Sequence, residues 1–221
     1  MHVLVNAAVS ADGKLSTRRR ERLRISGAED FARVDRLRAE ADAVVVGVGT
    51  VLADDPSLTR YDEDRRAETG KEDPPARVVV DSTCRTPPDA AVLDGEADTY
   101  LLVTGDAPAE ARATLAEAGA RLVEAGGEDG RVDLPRALAA LDREGVSELF
   151  VEGGGELIFS LFEAGLVDEL SLFVGSLVVG GRDAPTLADG EGFVEAFPRL
   201  SLTGVERLDD GVVLEYDVTE S

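Results

Sequence analysis

The chain has 221 residues and a formal net charge of −22, from 45 acidic and 23 basic residues. Hydrophobic residues make up 43%, enough for a packed core, so the charge does not signal disorder. One Cys and one His exclude an internal disulfide and a His/Cys zinc site, and no metal is expected.

From the N-terminus, residues 3–9 read as a strand. Ser26 and Glu29 have capping-box spacing, and Phe31, Val34, Leu37 and Ala41 then stripe one helix face. Residues 43–48 form a buried strand. The polar stretch 61–76 reads as a mobile surface loop. Strands follow at 77–81 and 99–103, a helix at 108–118 and a short strand at 120–124. Leu134, Ala137, Leu138 and Leu141 stripe another helix, followed by a strand at 147–151 and a helix at 156–164. A long apolar strand spans 170–179, and the chain closes as a hairpin, 200–208 and 212–218, around Asp209-Asp210-Gly211. Strands separated by helices make a largely parallel sheet, and the hairpin must add an antiparallel strand. The expected organisation is a single domain, 1–221.

No apolar run approaches 18 residues, so no membrane partner is expected and the location reads as cytoplasmic. The acidity argues against nucleic acid as a partner. Lysine is nearly absent, with only Lys14 and Lys71 against 21 arginines, which reads as adaptation to a salty cytoplasm. Against this background residues 1–24 hold six cations and only Asp12 and Glu21 as anions, either a solvated loop or a funnel for an anionic small ligand.

Three glycine-containing turns follow strands. Glu152-Gly153-Gly154-Gly155-Glu156 opens a helix, where backbone amides favour an anion. Gly47-Val48-Gly49-Thr50 begins like a dinucleotide fingerprint, but Leu52 stands where the third glycine would be. The acidic pair Asp54-Asp55 suits capping better than metal binding. Ser10-Ala11-Asp12-Gly13-Lys14 places a carboxylate and an ammonium at a strand end.

These blocks, together with Leu37-Arg38-Ala39, Asp54-Asp55-Pro56-Ser57-Leu58-Thr59, Arg77-Val78-Val79-Val80-Asp81-Ser82 and Gly165-Leu166-Val167-Asp168-Glu169-Leu170, resemble in order the riboflavin-biosynthesis reductases, over residues 3–218. The resemblance implies the dihydrofolate-reductase-like fold, a three-layer αβα arrangement with a mixed, mostly parallel central sheet and a C-terminal β-hairpin. It also implies NADPH as hydride donor, a homodimer, and a pyrimidine ribosyl phosphate as small-molecule partner. Free-standing members of archaea and fungi act before deamination, on 2,5-diamino-6-ribosylamino-4(3H)-pyrimidinone 5′-phosphate.

Carried over motif by motif, Thr50, Asp54, Asp81, Ser82 and the turn Gly153, Gly154, Gly155, Glu156 resemble cofactor-binding positions. Arg38, Leu58, Arg60 and Glu152 resemble substrate-binding ones. Asp12 and Glu152 are the candidates for the one proton donor the chemistry needs. Where bacterial relatives have Trp-Ile-Thr this chain has Arg24-Ile25-Ser26, so a stacking aromatic is missing. The competing readings are dihydrofolate reductase itself and a non-catalytic nucleotide-binding protein of the same fold. The arginine-rich stretch 18–24 and Glu152-Gly153-Gly154 suit a sugar phosphate better than a folate.

Overall fold

The protein is described from a computed structural model covering residues 1–21, 23–127 and 129–219. It has two compact units, one of Met1 with Asp35–Phe150 and one of His2–Val34 with Val151–Ser221.

In the first unit β2 (Ala43–Gly47), β3 (Ala76–Val80), β4 (Thr99–Val103) and β5 (Arg121–Glu124) lie in the order β5-β4-β3-β2. All are parallel, with Val45 opposite Val78, Val78 opposite Tyr100 and Leu101 opposite Leu122. Residues 43–46 and all of β4 are buried, as expected of parallel strands covered on both faces. Two helices follow β4 and β5. They are α4 (Ala109–Glu117) and α5 (Leu134–Arg143), and α5 buries the stripe Leu134, Ala137, Leu138, Leu141. Asp133 caps α5 by accepting from the Arg136 amide at 3.0 Å, with Pro135 in the first turn. β6 (Glu148–Val151) follows α5.

Asp42 ties the start of β2 to that of β6. Its Oδ2 accepts from the Ser147 amide and hydroxyl and from the Glu148 amide at 2.7–2.9 Å, and Lys71 Nζ stands 2.6 Å from Oδ1. Burial alone would raise this carboxyl. The bonds from Lys71, Ser147 and Glu148 outweigh it and hold the group at about 2, below its ordinary 3.8. A depressed carboxyl stabilises the fold above the unfolded-state pKa and loses that contribution as pH falls from about 4 through 2. We expect Asp42→Asn to be less stable than the parent by on the order of 2 kcal/mol at pH 7. The difference should close by about pH 2 in urea titrations; a gap independent of pH would overturn the assignment.

The polar stretch 61–76 is not the mobile loop its composition predicts. It holds α3 (Glu63–Glu68), capped by Asp62 at 2.9 Å from the Arg65 amide. Its anchor is Arg66, buried, whose guanidinium donates to the carbonyls of Ala39, Ala41 and Asp73. These bonds satisfy carbonyls at the end of α1 (Ala28–Glu40) that have no partner within the helix. Lys71 adds a bond to the Glu40 carbonyl, and Lys14 donates to that of Ala184. Both lysines of the chain are thus half-buried and bonded to backbone.

In the second unit β1 (His2–Ser10) pairs in parallel with β7 (Glu169–Gly175). β9 (Gly211–Thr219) runs antiparallel to β7, and β8 (Arg199–Leu208) antiparallel to β9. This unit thus has one parallel and two antiparallel pairs, including the expected C-terminal hairpin, and with the parallel pairs of the first unit the strands of the chain are mixed, mostly parallel. α6 (Gly155–Glu163) buries Leu157, Ile158, Phe159 and Leu161 and leaves Glu156 and Glu163 exposed.

Two expectations are corrected here. The apolar run read as a strand to 179 leaves the sheet at Gly175, where a Cβ would overlap the Ile25 carbonyl. Beyond it the amides of Val179 and Gly180 turn to the Asp12 carboxylate instead of a ladder. The start of α1 is capped by Asp209 in the hairpin turn, not by Ser26. The Asp209 carboxylate accepts from the amides of Gly27, Glu29 and Asp30 at 3.1–3.2 Å, and Glu29 accepts from the Asp209 amide at 2.7 Å. Reciprocal bonding survives, but between segments remote in sequence. Arg33 in α1 is buried and donates to Asp30 (2.9 Å), Ser171 (2.5 Å) and Asn6 (2.8 Å), so α1 covers the face of β1 and β7 that carries Asn6 and Ser171.

Candidate active site

The three glycine turns and Asp81-Ser82 all stand where a strand ends. Ser10 closes β1, Gly47 closes β2, Asp81 follows β3 and Glu152 follows β6. Carboxyl ends of parallel strands are where open α/β sheets take ligands.

In the first unit β2 runs straight into α2 (Val48–Asp54), a short helix that sequence reading treats only as a turn. Gly49 is exposed, and a Cβ there would have no heavy atom within 4 Å. Thr50 is half-buried and Asp54, exposed, ends the helix. Asp55 follows at φ 42 and accepts from the Ala91 amide at 2.8 Å, so the acidic pair serves the helix end and the next loop.

Leu58 is buried at φ 58, a conformation that costs a non-glycine residue about 1–3 kcal/mol and must be imposed by its surroundings. Part of that imposition is Arg77, a residue without solvent exposure. Its guanidinium donates to the carbonyls of Ser57 (3.3 Å), Ala91 (3.2 Å) and Ala97 (2.7 Å) and to Asp94 (2.7 Å). The Asp94 carboxyl is held below its ordinary value; burial opposes this, but the Glu96 amide and Arg77 prevail.

Asp81 is fully buried. Its Oδ2 accepts from the amide and hydroxyl of Thr86, both at 2.7 Å, while Oδ1 has no hydrogen-bond partner among the described residues. Ser82 Oγ accepts from the Val132 amide at 3.2 Å, and its carbonyl accepts from the amide and hydroxyl of Thr104. Beside this turn is a cavity of about 360 Å³ lined by Cys84, Thr86, Pro88, Pro108, Ala111 and Leu115 among others. Burial pushes the Cys84 thiol up, so it is not a reactive thiolate.

Arg38 and Arg60 come together on Asp35. Arg38 stands 3.5 Å and Arg60 2.8 Å from its carboxylate, and Arg38 donates to the Arg60 carbonyl at 2.9 Å. The Arg38 side chain is 16% exposed and that of Arg60 74%, so Arg60 offers a cation to solvent while Arg38 also holds the loop carrying it.

In the second unit Asp12 is fully engaged. It accepts from Ser10 Oγ (2.6 Å) and from the amides of Val179 (2.9 Å) and Gly180 (2.7 Å). The Ser10 bond, then the Val179 amide, hold its carboxyl at about 2 against a small opposing effect of burial. Such a group accepts hydrogen bonds at neutral pH and has no proton to give.

Glu152 is half-buried at the end of β6. Gly153 has φ 105, in the region that favours glycine, and the Gly153–Gly154 peptide is cis. Gly154 caps α6 with extended backbone at φ −78, whereas Gly155 is held by close approach. A Cβ on Gly155 would overlap the Thr186 carbonyl and crowd Asp189, whose amide donates to the Gly155 carbonyl at 3.1 Å. Glu156 is exposed in the first turn. Thr186 and Asp189, bonded to each other through Asp189 Oδ1 at 2.6 and 3.0 Å, carry no motif that would mark them in sequence.

Of the basic stretch, Arg18, Arg19, Arg20 and Arg24 are exposed, and Arg22 lies outside the described residues. Arg24 lies over the Phe31 ring at 5.6 Å.

Comparison with known proteins gives the family of the chain. Residues 1–214 match the family model described as the RibD C-terminal domain, which runs through both units. The chain is 46% identical over 213 residues to the 2,5-diamino-6-ribosylamino-4(3H)-pyrimidinone 5′-phosphate reductase of Archaeoglobus fulgidus, covering 95% of this chain and 94% of that one. It is 44% identical to the protein of the same name from Methanothermobacter thermautotrophicus, covering 98% of each. Among solved structures, RibD of Acinetobacter baumannii superposes with a TM-score of 0.79 at 24% identity, over 99% of this chain and 58% of that one. A riboflavin biosynthesis reductase of Saccharomyces cerevisiae superposes at 0.72 and 19% identity, over 99% and 90%. These two establish the fold, and with the sequence matches they make this chain a member of the RibD C-terminal domain family.

Proposed function

We propose that the protein reduces the ribosylamino side chain of 2,5-diamino-6-ribosylamino-4(3H)-pyrimidinone 5′-phosphate to the ribitylamino form, with NADPH as hydride donor, in riboflavin biosynthesis. The observation that carries this reading is 44–46% identity along nearly the full length of two reductases of that name.

The residues present suit a dinucleotide. Gly49 and Gly153 leave open space where a Cβ would stand, the first with nothing within 4 Å and the second with only Ile158 Cδ1 at 3.8 Å. In the first unit Thr50, Asp54 and Ser82 would contribute to the cofactor site, and Asp81 would set the 82–86 turn through its bonds to Thr86. In the second unit the Gly153–Glu156 turn would offer backbone amides to phosphate.

When bound, the nicotinamide cofactor would supply the hydride that the reduction needs. The protein binds and orients, and orientation alone contributes on the order of 7–11 kcal/mol. Arg38 and Arg60 hold the 5′-phosphate, Leu58 packs on the substrate and Glu152 hydrogen-bonds it. With Asp12 engaged by three donors, Glu152 or a water bound to it is left to supply the proton. Substrates that are free nucleotide-like phosphates support a cytoplasmic enzyme, and the family resemblance supports a single-domain homodimer. Lysines confined to bonded, half-buried positions support a salt-rich cytoplasm.

The test is NADPH oxidation on adding each pyrimidine. Turnover of the diamino compound, with far slower turnover of its deaminated form, dihydrofolate or NADH, is the expected result. Equal rates with NADH would overturn the cofactor assignment, oxidation with dihydrofolate alone the substrate, and no oxidation with any substrate the catalytic reading.

A further inference from the structure

Between Gly175, where β7 ends, and Arg199, where β8 begins, the chain forms neither a helix nor a ladder strand. Connections so long without secondary structure are uncommon in a compact unit, and something must hold this one in place. Its first part is stitched to the turn that follows β1. The Ala11 amide donates to the Leu177 carbonyl at 2.8 Å and the Leu15 amide to that of Pro185 at 2.9 Å. Between these bonds Asp12 takes the amides of Val179 and Gly180, and Lys14 Nζ donates to the Ala184 carbonyl at 3.2 Å. Lys14 and Thr186 also form an isolated antiparallel bridge.

Asp12 is the one carboxylate among these links. Its Oδ1 accepts from Ser10 Oγ and the Val179 amide, and its Oδ2 from the Gly180 amide. Ser10 Oγ in turn accepts from the Lys14 amide at 2.9 Å, so the same pair closes the 10–14 turn and anchors residues 179 and 180 to it. An ionised carboxylate offers acceptors on both oxygens, which suits three donors; an asparagine would turn its NH2 group toward one of them.

The far end of the segment meets the glycine turn. The Thr186 carbonyl stands where a Cβ on Gly155 would be, and the Asp189 amide donates to the Gly155 carbonyl at 3.1 Å. The first intrahelical bond of α6 runs from the Ile158 amide to the Gly154 carbonyl, so the amides of Gly155, Glu156 and Leu157 precede it without a partner inside the helix. Where those amides point follows from where Gly155 sits, and that is set by residues 186–189.

We infer that Asp12 is a positioning residue for the Gly153–Glu156 turn, acting through the 179–189 segment that it pins and against which the turn packs. It touches no ligand and moves no proton. The inference rests on the assignment of that turn to the cofactor, and it gives the Ser10–Lys14 motif a part in cofactor binding.

The test compares Asp12→Ala, Asp12→Asn and a control, Asp183→Ala, exposed on the same segment, by NADPH titration, initial rates and amide hydrogen exchange. Asp12→Ala should raise the NADPH Kd roughly 10- to 100-fold, the loss that a displacement of about 1 Å remote from the chemistry brings. KM for the pyrimidine should change only a few-fold, and the pH profile of kcat should keep the parent's shape. Exchange should quicken over 179–189 and 153–157 but not along β1 or β7. Asp12→Asn should fall between parent and Asp12→Ala, and Asp183→Ala should match the parent. Unchanged NADPH affinity in Asp12→Ala, or exchange that quickens over 179–189 and not over 153–157, would overturn the inference. A lost limb of the pH profile would return Asp12 to the role of proton donor, and exchange quickened throughout the chain would make it a general support of the fold. A parent that binds no NADPH would overturn the cofactor reading, while exchange over 153–157 would still decide whether Asp12 positions the turn.

Discussion

Gly155→Val is expected to destabilise the protein by about 3 kcal/mol or more, while Gly154→Val folds normally and loses the cofactor. At Gly155 the obstacle is backbone. The Thr186 carbonyl occupies the place of the new Cβ, the Asp189 side chain stands beside it, and the Asp189 amide is already bonded to the Gly155 carbonyl. Relief requires the 186–189 turn to move, and that turn is braced by the two bonds from Thr186 to Asp189 Oδ1. At Gly154 φ is −78, outside the left-handed region, so a side chain meets no penalty from φ; it would crowd a ligand at the start of α6. Urea melts and NADPH titrations of the two variants should therefore separate. Unchanged NADPH affinity in a folded Gly154→Val would show that the turn serves only the chain's own packing.

Those two positions show how far a sequence can be read. Three glycines after a strand mark a tight strand-to-helix passage, and the passage is there. What distinguishes them, a positive φ at Gly153, extended backbone at Gly154 and a carbonyl against Gly155, depends on where residues 186–189 come to lie. The same division runs through the fold. The α5 stripe and the Asp209-Asp210 hairpin turn are local periodicity and turn chemistry, and both were legible. Arg66 and Arg77 look in sequence like solvated charges; burial turns them into anchors for carbonyls contributed by separate segments. Asp209 caps a helix start 180 residues away, so no local pattern could have displaced Ser26. For the candidate site, strand ends were legible because each lies between an apolar run and a glycine or aspartate. The buried Oδ1 of Asp81, without a partner among the described residues, and the sharing of Asp35 by two arginines were not.

That sharing shapes the second prediction. Arg38→Ala should raise KM for the phosphorylated substrate roughly 10- to 150-fold, from the ~1.5–3 kcal/mol of a charge-assisted bond at ~1.4 kcal/mol per tenfold. The dephosphorylated substrate should be hurt far less. Because Arg38 also donates to the Arg60 carbonyl at 2.9 Å, its loss loosens the loop that carries Leu58, so kcat should fall with both substrates as well. Arg60 has no such second duty among its described contacts, being bonded through its side chain only to Asp35. Arg60→Ala should accordingly raise KM for the phosphorylated substrate and leave kcat near the parent value. Asp35→Asn keeps both guanidiniums and removes the charge that competes with phosphate for them, so its KM should change by only a few-fold. Initial rates with the paired substrates decide the matter. Equal losses with and without the phosphate in Arg60→Ala would mean that the pair braces the 57–62 loop and that the phosphate is held elsewhere.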